Sequence, residues 1–135
     1  MIDEVRIIDI PKITAPDGRG NLSVVEKETL PYAIKRVYYL YDVPSNSTRG
    51  GHAHIKMKQC LIALSGSFTV VVDDGIKKKE ILLNRPDKGL LIPNGIWRKL
   101  IEFSAGAVCL SLVSEEYDKA DYVRNYEDFL TLKRK

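Results

Sequence analysis

Long apolar runs are missing from this sequence. No stretch of its 135 residues approaches the roughly 20 consecutive apolar residues of a membrane helix, so no membrane partner is expected. A charge excess is missing too: 21 Lys and Arg face 18 Asp and Glu, for a net charge of +3. The basic residues are scattered, at Lys56 and Lys58, Lys77 to Lys79, and Lys133 to Lys135. They read as solvated faces and a hairpin edge, and no nucleic-acid motif accompanies them. A small anion such as a phosphate ester needs only two or three arginines, which a charge total does not exclude. Cysteine is scarce: Cys60 and Cys109 lie inside the strand-like runs QCLIAL and AVCLSL. A disulfide framework is therefore not expected, and neither run places a base beside the sulfur. Buried free thiols and a cytoplasmic location are the expectation. The N-terminal MIDEVRIIDI carries acids and alternates polar with apolar, so it does not read as a signal peptide.

What the chain does have is short segments rich in Val, Ile, Leu and Tyr, separated by turn residues. EVRIIDI alternates, NLSVVE follows the turn APDGRG, and YAIKRVYYLYDV alternates over a long run. MKQCLIAL and SFTVVVDD are joined around Ser65-Gly66-Ser67, and Asp73-Asp74-Gly75 is a tight-turn signal leading into IKKKEILL. GLLIP, IWRKLIEF and AVCLSLVS follow. Only the stretch from about Asp121 to Lys133 reads as helical. Nine or ten closely spaced strands with one terminal helix predict a single all-β domain over 1–135, an antiparallel jelly-roll barrel or sandwich. Sheet edges in such folds need cover, and the N-terminal strand ending at Pro11 is a candidate to exchange with a partner subunit.

Both histidines of the chain, His52 and His54, sit in RGGHAH. One residue apart, they share a strand face. Gln59 follows, then Gly66, and later Pro93-Asn94-Gly95-Ile96-Trp97-Arg98. This resembles the two cupin motifs, H-x-H with a later Glu and Gly, and P-x-G-x-x-H, in the family's order. The resemblance implies a cupin β-barrel. In metal-binding cupins the ligands are both histidines, the glutamate and the last histidine. Here Gln59 and Arg98 stand at the latter two positions, leaving two imidazoles and a permanent cation. Catalytic zinc and iron sites use at least three protein ligands, so neither metal nor other cofactor is expected. Two imidazoles with a reference pKa of about 6.5 suit proton transfer, and Arg49 and Arg98 beside them suit a phosphate.

RGGHAH, AIKRVYYLYDV and YDKADYVRNYEDF together resemble the bacterial sugar 3,4-ketoisomerases of the WxcM-like cupin group, from about Arg19 to Phe129. That resemblance implies an isomerase acting on dTDP-4-keto-6-deoxyglucose. It implies His52 as the carbon base, with His54 or a water carrying the oxygen proton. Tyr38 is then the donor to the enediolate, or else plain packing. Arg36, on the same strand face, binds phosphate or faces solvent. Arg49-Gly50-Gly51-His52 and Asp17-Gly18-Arg19-Gly20 are also similar to motifs of the dTDP-sugar 3,5-epimerases. Those imply that Arg49 contacts phosphate and that Arg19 serves the partner's site in a homodimer; otherwise Arg19 is a turn residue. Trp97 either walls the pocket or packs in the core, and Arg19 with Arg98 leaves the product's C-4 configuration open. The resemblance places the 3-keto product ahead of a 3-aminotransferase, in synthesis of lipopolysaccharide or S-layer glycan. Two other readings stand: a dTDP-sugar epimerase, and a non-catalytic nucleotide-sugar binding module.

Overall fold

Alternation along the strands decides what faces what. In QCLIALS, Leu61 and Ala63 join one apolar cluster while Cys60 and Ile62 join another on the opposite face. The computed structural model describes residues 1–134; Lys135, the end of the basic tail, lies outside the described residues. Twelve strands and one α-helix are found there. The strands are β1 (Arg6–Asp9), β2 (Lys12–Thr14), β3 (Asn21–Ser23), β4 (Arg36–Leu40), β5 (Arg49–His54) and β6 (Gln59–Ser65). They continue as β7 (Phe68–Asp73), β8 (Lys78–Leu83), β9 (Lys88–Ile92), β10 (Trp97–Ile101), β11 (Val108–Val113) and β12 (Tyr122–Val123), followed by α1 (Tyr126–Lys133).

Two five-stranded antiparallel sheets face each other, in orders β1-β9-β6-β11-β4 and β12-β5-β10-β7-β8. A separate hairpin pairs β2 with β3. The hydrogen bonding does not run round into a closed barrel, so the jelly-roll expectation takes its sandwich form. Between the sheets lie Leu61, Ala63, Leu90 and Ile92 from one and Val70, Val72, Leu83 and Leu100 from the other. The rings of Phe68 and Phe103 stack there at 5.2 Å. Outside the first sheet, Ile10 and Leu30 cover Cys60, Ile62, Leu91 and Leu112. Cys60 and Cys109 are buried and free, and burial pushes both thiols up to about 12.

The turn signals hold. Gly75 N–H donates to Asp73 Oδ1 at 2.7 Å, closing the hairpin from β7 to β8. Lys78 and Lys79 lie exposed on β8, an edge strand, where charge discourages further pairing. Gly66 joins β6 to β7 at φ +65°, and a Cβ there would lie 2.9 Å from Ala107 Cα.

One expectation is corrected. The helix begins at Tyr126, not Asp121, with Asn125 as its cap, whose Oδ1 accepts from Asp128 N–H at 3.0 Å. The preceding residues instead form a 3-10 turn over Lys119–Asp121 and β12, where Tyr122 pairs with His54 and Val123 with Ala53. Long-range pairing to β5 overrides local helical preference here. At the N-terminus β1 pairs with β9, Arg6 with Leu91 through Asp9 with Lys88, and forms one edge of its sheet. The β2–β3 hairpin is the N-terminal piece that leaves Ile13 and Leu22 exposed.

Candidate active site

A cavity of about 440 Å³ opens between the two sheets. From β4 it receives Arg36 and Tyr38, from β5 Arg49 and His52, from β6 Gln59, and from β10 Arg98. Tyr117, Tyr122 and Arg124 close it from the C-terminal segment. Arg36 and Tyr38 are alternate residues of β4, so strand periodicity carries both to one place. A bulge shapes the β5 side: Arg98 of β10 pairs with His52, and Leu100 with Arg49, with a register shift between. Gly50 takes that bend at φ +75°, next to the side chain of Leu100.

The two imidazoles meet edge to face, 4.7 Å between centroids. Tyr122 packs on both, at 5.1 Å from His52 and 4.4 Å from His54. His54 is buried beneath the cavity, and its Nδ1 lies 3.1 Å from Asp121 Oδ2. Asp121 also accepts the backbone N–H of Lys56 at 2.6 Å and of Met57 at 3.3 Å. A carboxylate accepts only, so it fixes the proton on His54 Nδ1 and leaves Nε2 with its lone pair. His52 Nε2, His54 Nε2 and Arg36 Nε are buried with no hydrogen-bond partner among the described residues. Buried polar atoms are ordinarily paired, so three orphans at one cavity mark where polar atoms of a ligand would sit.

The electrostatics correct one expectation. Neither imidazole titrates near neutral pH: burial, and then the Arg98 charge, hold His52 down at about 3. Burial, then Arg98 and Arg36, hold His54 at about 3 despite its carboxylate neighbour. Both are neutral at pH 7 and able to accept a proton.

Of the residues singled out from sequence, His52, Tyr38, Arg49, Arg36 and Arg98 line one cavity, with His54 directly behind them. Arg98 is not a rim residue, however. It is 1% exposed, and its guanidinium donates to Ile96 O and to Gln59 Oε1. Trp97 does not wall the cavity. Strand alternation turns it to the other face of β10, against Tyr126 at 5.2 Å and Phe129 at 5.7 Å in α1. Arg19 stands in the loop joining β2 to β3, 83% exposed and paired with Asp17, away from this chain's cavity.

Sequence reasoning missed Asp121, Tyr122 and Arg124. All three lie in YDKADYVRNYEDF, but no spacing ties them to residues some 70 positions earlier. Arg124 lies over the Tyr122 ring at 4.4 Å, and Arg36 Nη2 donates to Tyr122 Oη at 3.3 Å.

A family described as FdtA, WxcM-like, C-terminal matches residues 3–134. The chain is 40% identical over 127 residues to a TDP-4-oxo-6-deoxy-alpha-D-glucose-3,4-oxoisomerase of Aneurinibacillus thermoaerophilus, covering 93% of this chain and 90% of that protein. A 3,4-ketoisomerase from Helicobacter canadensis superposes with a TM-score of 0.93 at 38% identity, over 98% of each chain. A mutant of the 3,4-ketoisomerase QdtA from Thermoanaerobacterium thermosaccharolyticum, solved with TDP-4-keto-6-deoxyglucose, does so with 0.94 at 37% identity, over 99% of this chain and 96% of that one.

Proposed function

The chain belongs to the WxcM-like FdtA family, and from that premise we propose that it converts dTDP-4-keto-6-deoxyglucose to a dTDP-3-keto-6-deoxyhexose. The observation that carries the reading is the pair of neutral imidazoles with unpaired Nε2 atoms, set beside Arg36, Arg49 and Arg124. The C-4 ketone acidifies the proton on C-3. His52 takes that proton, and the ketone oxygen gains one, giving an enediol. Loss of the O-3 proton and return of a proton to C-4 complete the exchange, so no net oxidation occurs. His54, its tautomer held by Asp121, serves the oxygens, and Tyr38 donates a hydrogen bond to the oxygen on which charge builds. Arg49, Arg36 and Arg124 hold the diphosphate. The reaction needs no metal in this reading. Two cupin ligand positions hold an amide and a guanidinium already bonded to each other at 2.6 Å, so chelator should leave turnover unchanged.

The finer assignments belong to the same proposal. The enzyme works in the cytoplasm, and its product feeds a 3-aminotransferase that supplies lipopolysaccharide or S-layer glycan. It acts as a homodimer with exchange of the N-terminal strand, and the β2–β3 hairpin that follows carries Arg19 toward the partner's cavity. Ile13 and Leu22 on the hairpin, with Val37 and Tyr39 on the outer face of β4 and Tyr41 just beyond it, supply exposed apolar surface for that contact.

The test is incubation with dTDP-4-keto-6-deoxyglucose in deuterated water, followed by NMR of the sugar. Deuterium at C-4 of a 3-keto product is expected. Exchange at C-5 alone would make the protein an epimerase, and binding without exchange a binding module; either sinks the proposal.

A further inference from the structure

Gln59 and Arg98, at the two positions where this chain departs from a metal-binding cupin, are joined to the cavity by a specific hydrogen-bond path. Arg98 Nε and Nη2 donate to Ile96 O at 3.2 and 3.0 Å, and Nη1 donates to Gln59 Oε1 at 2.6 Å. A guanidinium offers donors only, so this contact decides which end of the Gln59 amide faces it. The Nε2 end is thereby turned to β4 and β11, where it donates to Tyr38 Oη and to Ser111 Oγ, both at 2.7 Å. Both amide protons are used, and Gln59 offers Tyr38 no acceptor. The Tyr38 oxygen accepts from the floor of the cavity, while its own proton is left for whatever lies within.

We propose that Gln59 is a positioning residue, which, oriented by the buried Arg98, makes Tyr38 a hydrogen-bond donor to the reacting oxygen of the bound keto sugar. The inference rests on the ketoisomerase reading and deepens it. Burial raises the Tyr38 phenol above its usual value, so it keeps its proton at neutral pH. A glutamate at the same position would still pair with Arg98. Its second oxygen, however, would accept the Tyr38 proton and turn it away from the substrate.

The experiment compares the native protein with Gln59→Glu, Tyr38→Phe and the double variant. Each is assayed on dTDP-4-keto-6-deoxyglucose, with dTDP binding followed by calorimetry. Gln59→Glu is expected to lower kcat by about 10²-fold, the scale of losing one oxyanion donor. KM and dTDP affinity should stay within about threefold. In the Tyr38→Phe background the same change should cost less than about threefold, because the group it acts through is gone. Equal losses in both backgrounds, or a fully active Gln59→Glu protein, would overturn the proposal. An inactive native protein would instead overturn the ketoisomerase reading. Should Gln59→Glu fail to fold, Gln59→Met decides. It keeps the length of the side chain and removes the amide, so kcat should fall about tenfold in the native background and less than about threefold in the Tyr38→Phe background. Equal losses in both backgrounds would overturn the path.

Discussion

The space between the two sheets has two halves, built by the same strands. In one half β6 gives Leu61 and Ala63, β10 gives Leu100, and Phe68 stacks on Phe103. In the other half the same strands give Gln59 and Arg98, β11 gives Ser111, and β5 adds His54, all buried. Both halves are built on paired strands, and side-chain chemistry distinguishes them. The apolar half gains stability by removing hydrocarbon from water. The polar half pays desolvation and recovers it through hydrogen bonds, except at the few nitrogens turned to the cavity. The difference teaches that the site is a region where the core's alternation continues with polar residues in the inward positions.

Breaking the polar half should cost turnover with little loss of fold. His52→Asn should produce the largest effect, a fall in kcat of up to about 10⁴-fold with dTDP binding retained, read by NMR exchange and calorimetry. His52 is held at about 3 in the free protein, so its neutral form persists as pH falls. The kcat/KM profile of the native enzyme should therefore stay flat between about pH 8 and 5. An inflection near the ordinary imidazole value would contradict the burial argument.

Breaking the apolar half should do the reverse. Phe68→Ala should cost about 3–5 kcal/mol in chemical denaturation. Whatever fraction remains folded should turn over at a near-native rate, and a collapse of kcat in folded protein would erase the division between the halves. A smaller effect is expected at Asp121→Asn. Its amide would offer Nδ1 a donor and favour the wrong tautomer of His54, lowering kcat by about 10²-fold with little change in KM. The imidazole ¹⁵N shifts should report the switch, and unchanged shifts would remove Asp121 from its positioning role. Trp97→Phe should move activity least, within about twofold, because the indole packs on α1 rather than on the cavity.

Much of the fold was legible because β-structure announces itself by period and punctuation. The run QCLIAL and the Asp-Asp-Gly turn fall on an observed strand and turn, and the long alternation from Tyr32 to Val43 holds its strand only over Arg36–Leu40. The short β12 was not legible: two residues carry no period, and their strand character comes from pairing with Ala53 and His54. The site divides along the same line. Tyr38 and Arg36, and His52 and His54, stand two apart on single strands, so sequence alone placed each pair on one face.

Sequence by itself determined the β-rich architecture, the histidine pair, and the replacement of two cupin ligands by Gln59 and Arg98. These are properties of residue identity and of spacing within one strand. Tertiary structure decided that Asp121 holds His54, that Arg98 is an internal cation rather than a rim clamp, and that Trp97 faces the helix. It also decided that burial strips the imidazoles of their ordinary titration. Those outcomes depend on which strands become neighbours and on how much water they exclude. Neither is set by local spacing, because the pairing of β5 with β10 and β12 joins segments far apart in the chain.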